Sequence, residues 1–329
     1  MNKNKYLQCA LGTCTVAFAH AAQPQPATPV SPYPVKPVRF VVGQSPGGGT
    51  DLIARAVTAR LSETIGHSMI VDNRTGAAGS VGAGLVAKSA PDGYTLLVVS
   101  SSYAINPGLY SSLTFDPAKD LTPVILLAQA PFLLVVHPSL PAQSVKELIA
   151  LAKAKPGTLN FASGGAGSSG HLAGELFQNA AGVRITHVPY KGAGPALTDT
   201  IAGQVQLTFA SMLSSLQHVR STRLRALAVT SVKRSAALPE LPTVAEAGVR
   251  DYATTSWYGV LAPSGTAVAA ITRMNTELHK IITLPDVRQK LAADGAEPAG
   301  GSPQEFQKYL TAEITKWSRV IRAAGIKIE

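Results

Sequence analysis

Several times along this chain a short run of β-branched and apolar residues leads through a loop rich in Gly and Ser straight into an apolar pattern of helical period. No other feature narrows the fold as far. Strands alternating with helices specify an α/β architecture on a mainly parallel sheet, because parallel neighbours need a crossover helix between them. Residues 38–42 (VRFVV) predict the first strand and residues 51–65 a helix, with Leu52, Ile53, Ala56, Val57 and Leu61 on its apolar face. A strand at 69–71, a helix at 80–89 and a strand at 94–99, after the Pro91-Asp92-Gly93 turn, complete a first unit.

Residues 124–136 form a long apolar stretch broken only by Gln129 and Pro131, which reads as a strand crossing into a second unit. There the alternation resumes. A helix at 145–155, opened by the capping box from Ser144 to Glu147, precedes strands at 159–162, 185–188, 205–209 and 225–230, with helices at 170–181 and 195–202 between them. Residues 257–261 read as the return crossing, and the tail is helical at 267–283, at 286–294 and from the capping box Ser302 to Glu305 through 324. Residues 38–128 with 254–329 are expected to form one lobe and residues 129–253 the other. Two crossings suit a clamshell that bends at its hinge strands.

The N-terminus predicts export. Lys3 and Lys5 precede an uncharged, mostly apolar run at 6–19, and Ala19-His20-Ala21 offers a small-x-small cleavage site, so residues 1–21 read as a cleaved signal peptide. The run is too short for a membrane span, which needs roughly 20 residues. Leu11-Gly12-Thr13-Cys14 only faintly resembles a lipoprotein box. Both cysteines, Cys9 and Cys14, fall inside the signal, so disulfides, zinc-thiolate sites and a Cys nucleophile are excluded from the mature chain. Residues 22–37 are Pro-rich and read as a flexible leader. Without Lys3 and Lys5 the chain keeps 27 of its 29 basic residues against 19 acids, a net charge of +8. These charges are scattered, which favours small anions over nucleic acid as partners.

The loops carry the chemistry. Gly43-Gln44-Ser45-Pro46-Gly47-Gly48-Gly49-Thr50-Asp51 joins a strand to a helix, so its glycines let the backbone approach a ligand while the first helical N–H groups face an anion. Thr50 or Asp51 could equally cap the helix. The loop lacks the Lys of a nucleotide-triphosphate loop. In Ser163-Gly164-Gly165-Ala166-Gly167-Ser168-Ser169-Gly170-His171, the glycines at 165, 167 and 170 fit the dinucleotide fingerprint. The next strand, from Arg184 to Tyr190, carries no acid for a ribose hydroxyl, so a smaller anion fits better. His171 could cap, pack or meet a ligand. The histidines form no H-E-x-x-H pair and no metal-ligand cluster, and neither catalysis nor a metal or other cofactor is expected. Ser100 to Asn106, Tyr190 to Pro195 with Lys191, and Ala210-Ser211-Met212 follow other strands at the end of the sheet where ligands lie.

Taken in order, Asp72-Asn73-Arg74, Pro91-Asp92-Gly93-Tyr94, Asn160-Phe161-Ala162-Ser163, Val188-Pro189-Tyr190-Lys191-Gly192, Leu241-Pro242-Thr243-Val244 and Trp257-Tyr258-Gly259, together with the loop at 46–51, resemble the tripartite tricarboxylate transporter substrate-binding proteins, also called the Bordetella uptake gene or Bug family. The resemblance spans nearly the whole mature chain. It implies a two-lobed periplasmic binding fold of type II, a Venus flytrap that takes small carboxylates. One carboxylate would sit between Gly48, Gly49, Thr50 and Asp51 of the first lobe and Ala166, Gly167, Ser168 and Ser169 of the second. Ser101, Asn106, Tyr190, Gly192 and Ser211 are secondary candidates. The partners it implies are two membrane subunits driven by an ion gradient, and a monomeric receptor is expected. An exported enzyme acting on a small acid and a ligand sensor are the alternative readings.

Overall fold

The computed structural model describes residues 33–110 and 112–326. The expected signal at 1–21 and residues 22–32 of the leader lie outside them. The first unit runs β1 (Val38–Val42), α1 (Gly49–Ile65), β2 (Met69–Asn73), α2 (Ser80–Ala87), β3 (Thr95–Ser100) and α3 (Ser102–Leu109). The long β4 (Leu121–Val136) then leads into α4 (Val145–Ala154), β5 (Asn160–Ser163), α5 (Ser169–Ala181), β6 (Thr186–Pro189), α6 (Ala193–Ile201), β7 (Leu207–Ser211), α7 (Met212–Arg220) and β8 (Arg225–Val229). The chain returns through β9 (Thr255–Pro263) and finishes with α8 (Val268–Thr283), α9 (Pro285–Ala293), β10 (Glu297–Gly300) and α10 (Pro303–Ala324).

The ten strands among the described residues belong to one sheet whose main path is β2-β1-β3-β9-β4-β7-β5-β6, with β8 and β10 also pairing to β4. Each end of that path has a parallel core: β1 lies between β2 and β3, and β5 between β6 and β7. The crossing strands run antiparallel to these cores. From Leu121 to Pro131, β4 pairs with β9, and from Phe132 onward it pairs with β7 and β8. The change of partners falls at Pro131, where β4 leaves β9 for β7 and β8. Most of β4 is buried, which is why its sequence is almost continuously apolar.

Helix α1 buries Ile53, Ala54, Val57 and Leu61, whereas Leu52 is 37% exposed and falls outside the stripe assigned to it. At 100° per residue, Leu52 and Ile53 cannot both sit at the centre of one face, and the strand surface selects Ile53. The end of the expected leader is also ordered. The Tyr33 hydroxyl donates to the Gly93 carbonyl, its ring packs edge-on against Tyr94 at 5.2 Å, and the Val35 N–H donates to the Tyr94 hydroxyl at 3.1 Å. Aromatic area between the prolines therefore docks the segment before β1 onto the lobe. The box at Ser302 forms in full, while at α4 the Ser144 hydroxyl accepts from Glu147 N–H but the Glu147 carboxylate reaches Gln143 N–H, one residue further out.

Candidate functional site

Helices α1, α3, α5, α6 and α7 all begin beside a cavity of ≈ 70 Å³ between the two lobes. A water needs about 10–15 Å³ on the same measure, so several waters or one small acid would fit. Gly48, Gly49 and Thr50 line it from the first lobe, Ser168, Ser169 and Gly170 from the second, and Ser211 and Ser214 from the start of α7. Phe132 of β4 and Ser256 and Tyr258 of β9 form its floor. Among the described residues, none that lines it is charged. The amides of Gly49, Thr50 and Asp51 stand in the first turn of α1, where a helix offers them no acceptor.

The lobes are shut. Ser101 Oγ lies 2.7 Å and Ser102 Oγ 3.0 Å from Ser169 Oγ, and Ser169 N–H donates to Ser102 Oγ at 3.2 Å. Toward the mouth, Gly194 N–H donates to Ser45 Oγ at 3.3 Å, and the Tyr110 hydroxyl donates to the Ala166 carbonyl at 3.1 Å. In the floor, Ser211 Oγ and Tyr258 Oη are 2.7 Å apart. Burial raises the Tyr258 hydroxyl above its ordinary pKa although the bond to Ser211 opposes this, so the group is a neutral phenol able to donate or accept.

Several residues assigned to the ligand do other work in this geometry. Asp51 is turned away from the cavity: its carboxylate accepts from Gly47 N–H, Arg55 Nε and Asn73 Nδ2, each at 3.0 Å. Burial pushes its pKa up, but the hydrogen bonds from Arg55, Gly47 and Asn73 and the Arg55 charge outweigh this and hold it below the usual carboxylate value. Asp51 thus closes the first loop. Gly167 N–H is likewise spent, on His171 Nδ1 at 3.2 Å. Asn106 faces a smaller pocket of ≈ 10 Å³, donating to Ser80 Oγ at 2.8 Å and Ala78 O at 3.3 Å while its own carbonyl oxygen finds no partner among the described residues. Ala166, Tyr190, Lys191 and Gly192 line a groove that shares Gln44 with the cavity, rather than the cavity itself. There the Tyr190 hydroxyl donates to Asp199 at 2.8 Å, and burial followed by that bond pushes its pKa up to about 12. Ser101 is buried and reaches the site only through Ser169 and Ser256.

A family model described as the tripartite tricarboxylate transporter family receptor matches residues 53–326. The chain belongs to that family. It is 39% identical over 307 residues to the protein BugT of Bordetella pertussis, covering 92% of this chain and 94% of BugT. Among solved structures it is similar to Rpa4515 of R. palustris with adipate, at 44% identity and a TM-score of 0.87, covering 90% of this chain and 99% of the other. MatC of Rhodopseudomonas palustris with bound malate matches at 31% identity and a TM-score of 0.84, covering 88% and 100%. The two-lobed fold read from the strand order is the fold of the family.

The receptor's cavity also contains residues that the loop motifs did not single out, chiefly Phe132, Ser214, Ser256 and Tyr258. Three of these stand on the crossing strands. Any strand that passes between lobes must run along the cleft floor, so the apolar stretch at 124–136 and the return at 257–261 held the signal that could have located Phe132 and Tyr258.

Proposed function

We propose that the protein is a periplasmic solute receptor that encloses one small carboxylate between its lobes and presents it to the membrane subunits of a tripartite transporter. The observation that carries this reading is the closed cavity itself, bordered by the first turns of five helices and by hydroxyl groups, with no charged side chain in its lining among the described residues. Free amides at helix starts favour negative charge, each helix contributing the equivalent of roughly half a positive charge. Hydroxyls add donors without fixing one geometry. The adipate and malate held by two relatives are acids of this kind. Within this reading Gly48, Gly49, Thr50, Ser168, Ser169 and Ser211 meet the ligand directly, Asp51 and Gly167 shape the loops, and Ser101, Asn106, Ala166, Tyr190 and Gly192 line or brace the approach.

Thermal melting against a panel of small mono-, di- and tricarboxylates tests the reading. A cognate acid at about 100 times its Kd should stabilise the fold by about 2.7 kcal/mol and be recovered unaltered. Turnover of the acid at catalytic protein concentration would replace the receptor with an exported enzyme. Transport is tested by uptake of that acid in a strain lacking the protein, where uptake at the parental rate would remove the transporter from the account.

A further inference from the structure

The loop at 163–168, between β5 and α5, is tied at two points to imidazoles that the carboxylate reading leaves unused. At its start Ser163, which lines the cavity, holds His187 Nε2 of β6 at 2.6 Å from its Oγ. Further along, Gly167 N–H donates to His171 Nδ1 of α5 at 3.2 Å. The two rings stack on each other with centroids 4.0 Å apart, and Phe161 of β5 lies 4.8 Å from the His187 ring. One compact aromatic block therefore grips both ends of the loop.

Protonation states follow from these contacts. Because His171 Nδ1 accepts an N–H, its proton sits on Nε2, which faces Glu175 Oε1 at 3.6 Å. The titratable groups facing the pair are Glu175 on α5 and the two imidazoles themselves; from β5 it meets the uncharged Phe161 and Ser163. Glu175 is itself pushed up by burial and tied to Gln178 Nε2 at 3.0 Å. With Gly167 fixed, the Ser168 hydroxyl caps α5 by accepting His171 N–H at 3.3 Å, and Gly170 is presented to the cavity.

We propose that His171 and His187 are positioning residues for the second lobe's anion loop: the stacked neutral pair holds Ser163 and Gly167, and protonation of the pair frees the loop and releases the carboxylate. This rests on the cavity being a carboxylate site. Adding a proton to His171 Nδ1 turns the acceptor of Gly167 N–H into a second donor, which cannot keep that bond, and places positive charge against the other ring. Burial holds both rings neutral near neutral pH, lowering His171 to about 4 and, with His171 beside it, His187 to about 3. Release by this route belongs to strongly acid surroundings.

The test compares His171→Phe, which keeps a ring but no acceptor, with His171→Asn, whose carbonyl can replace Nδ1. Amide exchange across residues 163–169 is measured without ligand, and affinity is measured with adipate and with malate as probes. His171→Phe should speed exchange at Gly167 and weaken the bound probe by about tenfold, the scale of one lost hydrogen bond, while His171→Asn stays within about threefold of wild type. Between about pH 7.5 and about 4, affinity should fall more steeply in wild type than in His171→Phe, a difference that cancels the acid's own titration. Equal exchange and affinity in wild type and His171→Phe, equal losses in both variants, or superimposable pH profiles would each overturn the proposal. If wild type binds neither these acids nor any in the panel, the carboxylate reading fails and the release step with it, while unchanged exchange in His171→Phe would separately remove the positioning role.

Discussion

Gly192 caps α6 with φ at 127°, a conformation that favours glycine, and a Cβ at this position would strike the Ser45 hydroxyl of the opposite lobe. The Gly192→Ala variant should therefore fold but close poorly: backbone strain of about 1–3 kcal/mol adds to a contact made only when the lobes meet. Probe affinity should drop by at least about tenfold on that scale, and small-angle scattering with ligand should report a larger radius of gyration than wild type. A variant that binds and compacts like wild type would show that Ser45 and Gly192 separate at no cost. Around this contact, the two Gly/Ser loops could be placed beside the cavity from the sequence because a loop leading from a parallel strand into a helix lies at the strand's carboxyl end, where clefts form. The direction of Asp51 was not. Its carboxylate serves Gly47, Arg55 and Asn73, and Asn73 reaches it only because β2 lies beside β1.

Among the elements, α10 holds the return crossing through one buried carboxylate. Glu313 Oε2 accepts from the Trp257 indole of β9 at 3.2 Å and from the Trp317 indole at 3.1 Å, while Lys316 Nζ sits 3.1 Å from Oε1. Replacing Glu313 by Leu leaves two indole N–H groups without an acceptor in the core, and a loss of about 2–4 kcal/mol is expected, with Glu313→Gln recovering much of it. Urea melts of the three proteins measure this; equal midpoints for Leu and Glu would show that the indoles find other partners. Most elements were readable from periodicity, and those that were not share a physical reason. Helix α3 carries Asn106, Pro107 and Gly108, which read as breakers, yet it is held against α10. Helix α7 is rich in serine and buries Met212, Leu213 and Leu216 along a face that its short length obscures. Strand β10 contains Pro298 and Gly300, and exists because β4 offers it a partner from Gln129 to Leu126.

For the molecule as a whole, the buried imidazoles give stability a pH dependence of definite sign. In the unfolded chain a His takes its proton near pH 6.5, whereas in the fold His171 does so near 4 and His187 near 3. Between these values the unfolded chain binds more protons, so stability is full above about pH 6.5 and declines as the pH falls toward 4. Melting temperatures at about pH 7.5, 6 and 5 should descend in that order, more steeply than in a His171→Phe, His187→Phe double variant; parallel profiles would mean that the pair does not carry the effect. The clamshell outline was legible because two long apolar runs bracket the second unit, but the continuity of the sheet was not, since pairing between β4 and β9 joins residues more than a hundred positions apart. That pairing also orders events in time. A chain that emerges from its N-terminus delivers β4 to β8 together, but β1, β2 and β3 must wait for β9, β10 and α10 before their sheet and its helical cover are complete. The strands made first, β1, β2 and β3, pair with one another early, but the outer edge of β3 stays open until β9 has been made, and over that interval it is a sheet edge that needs protection.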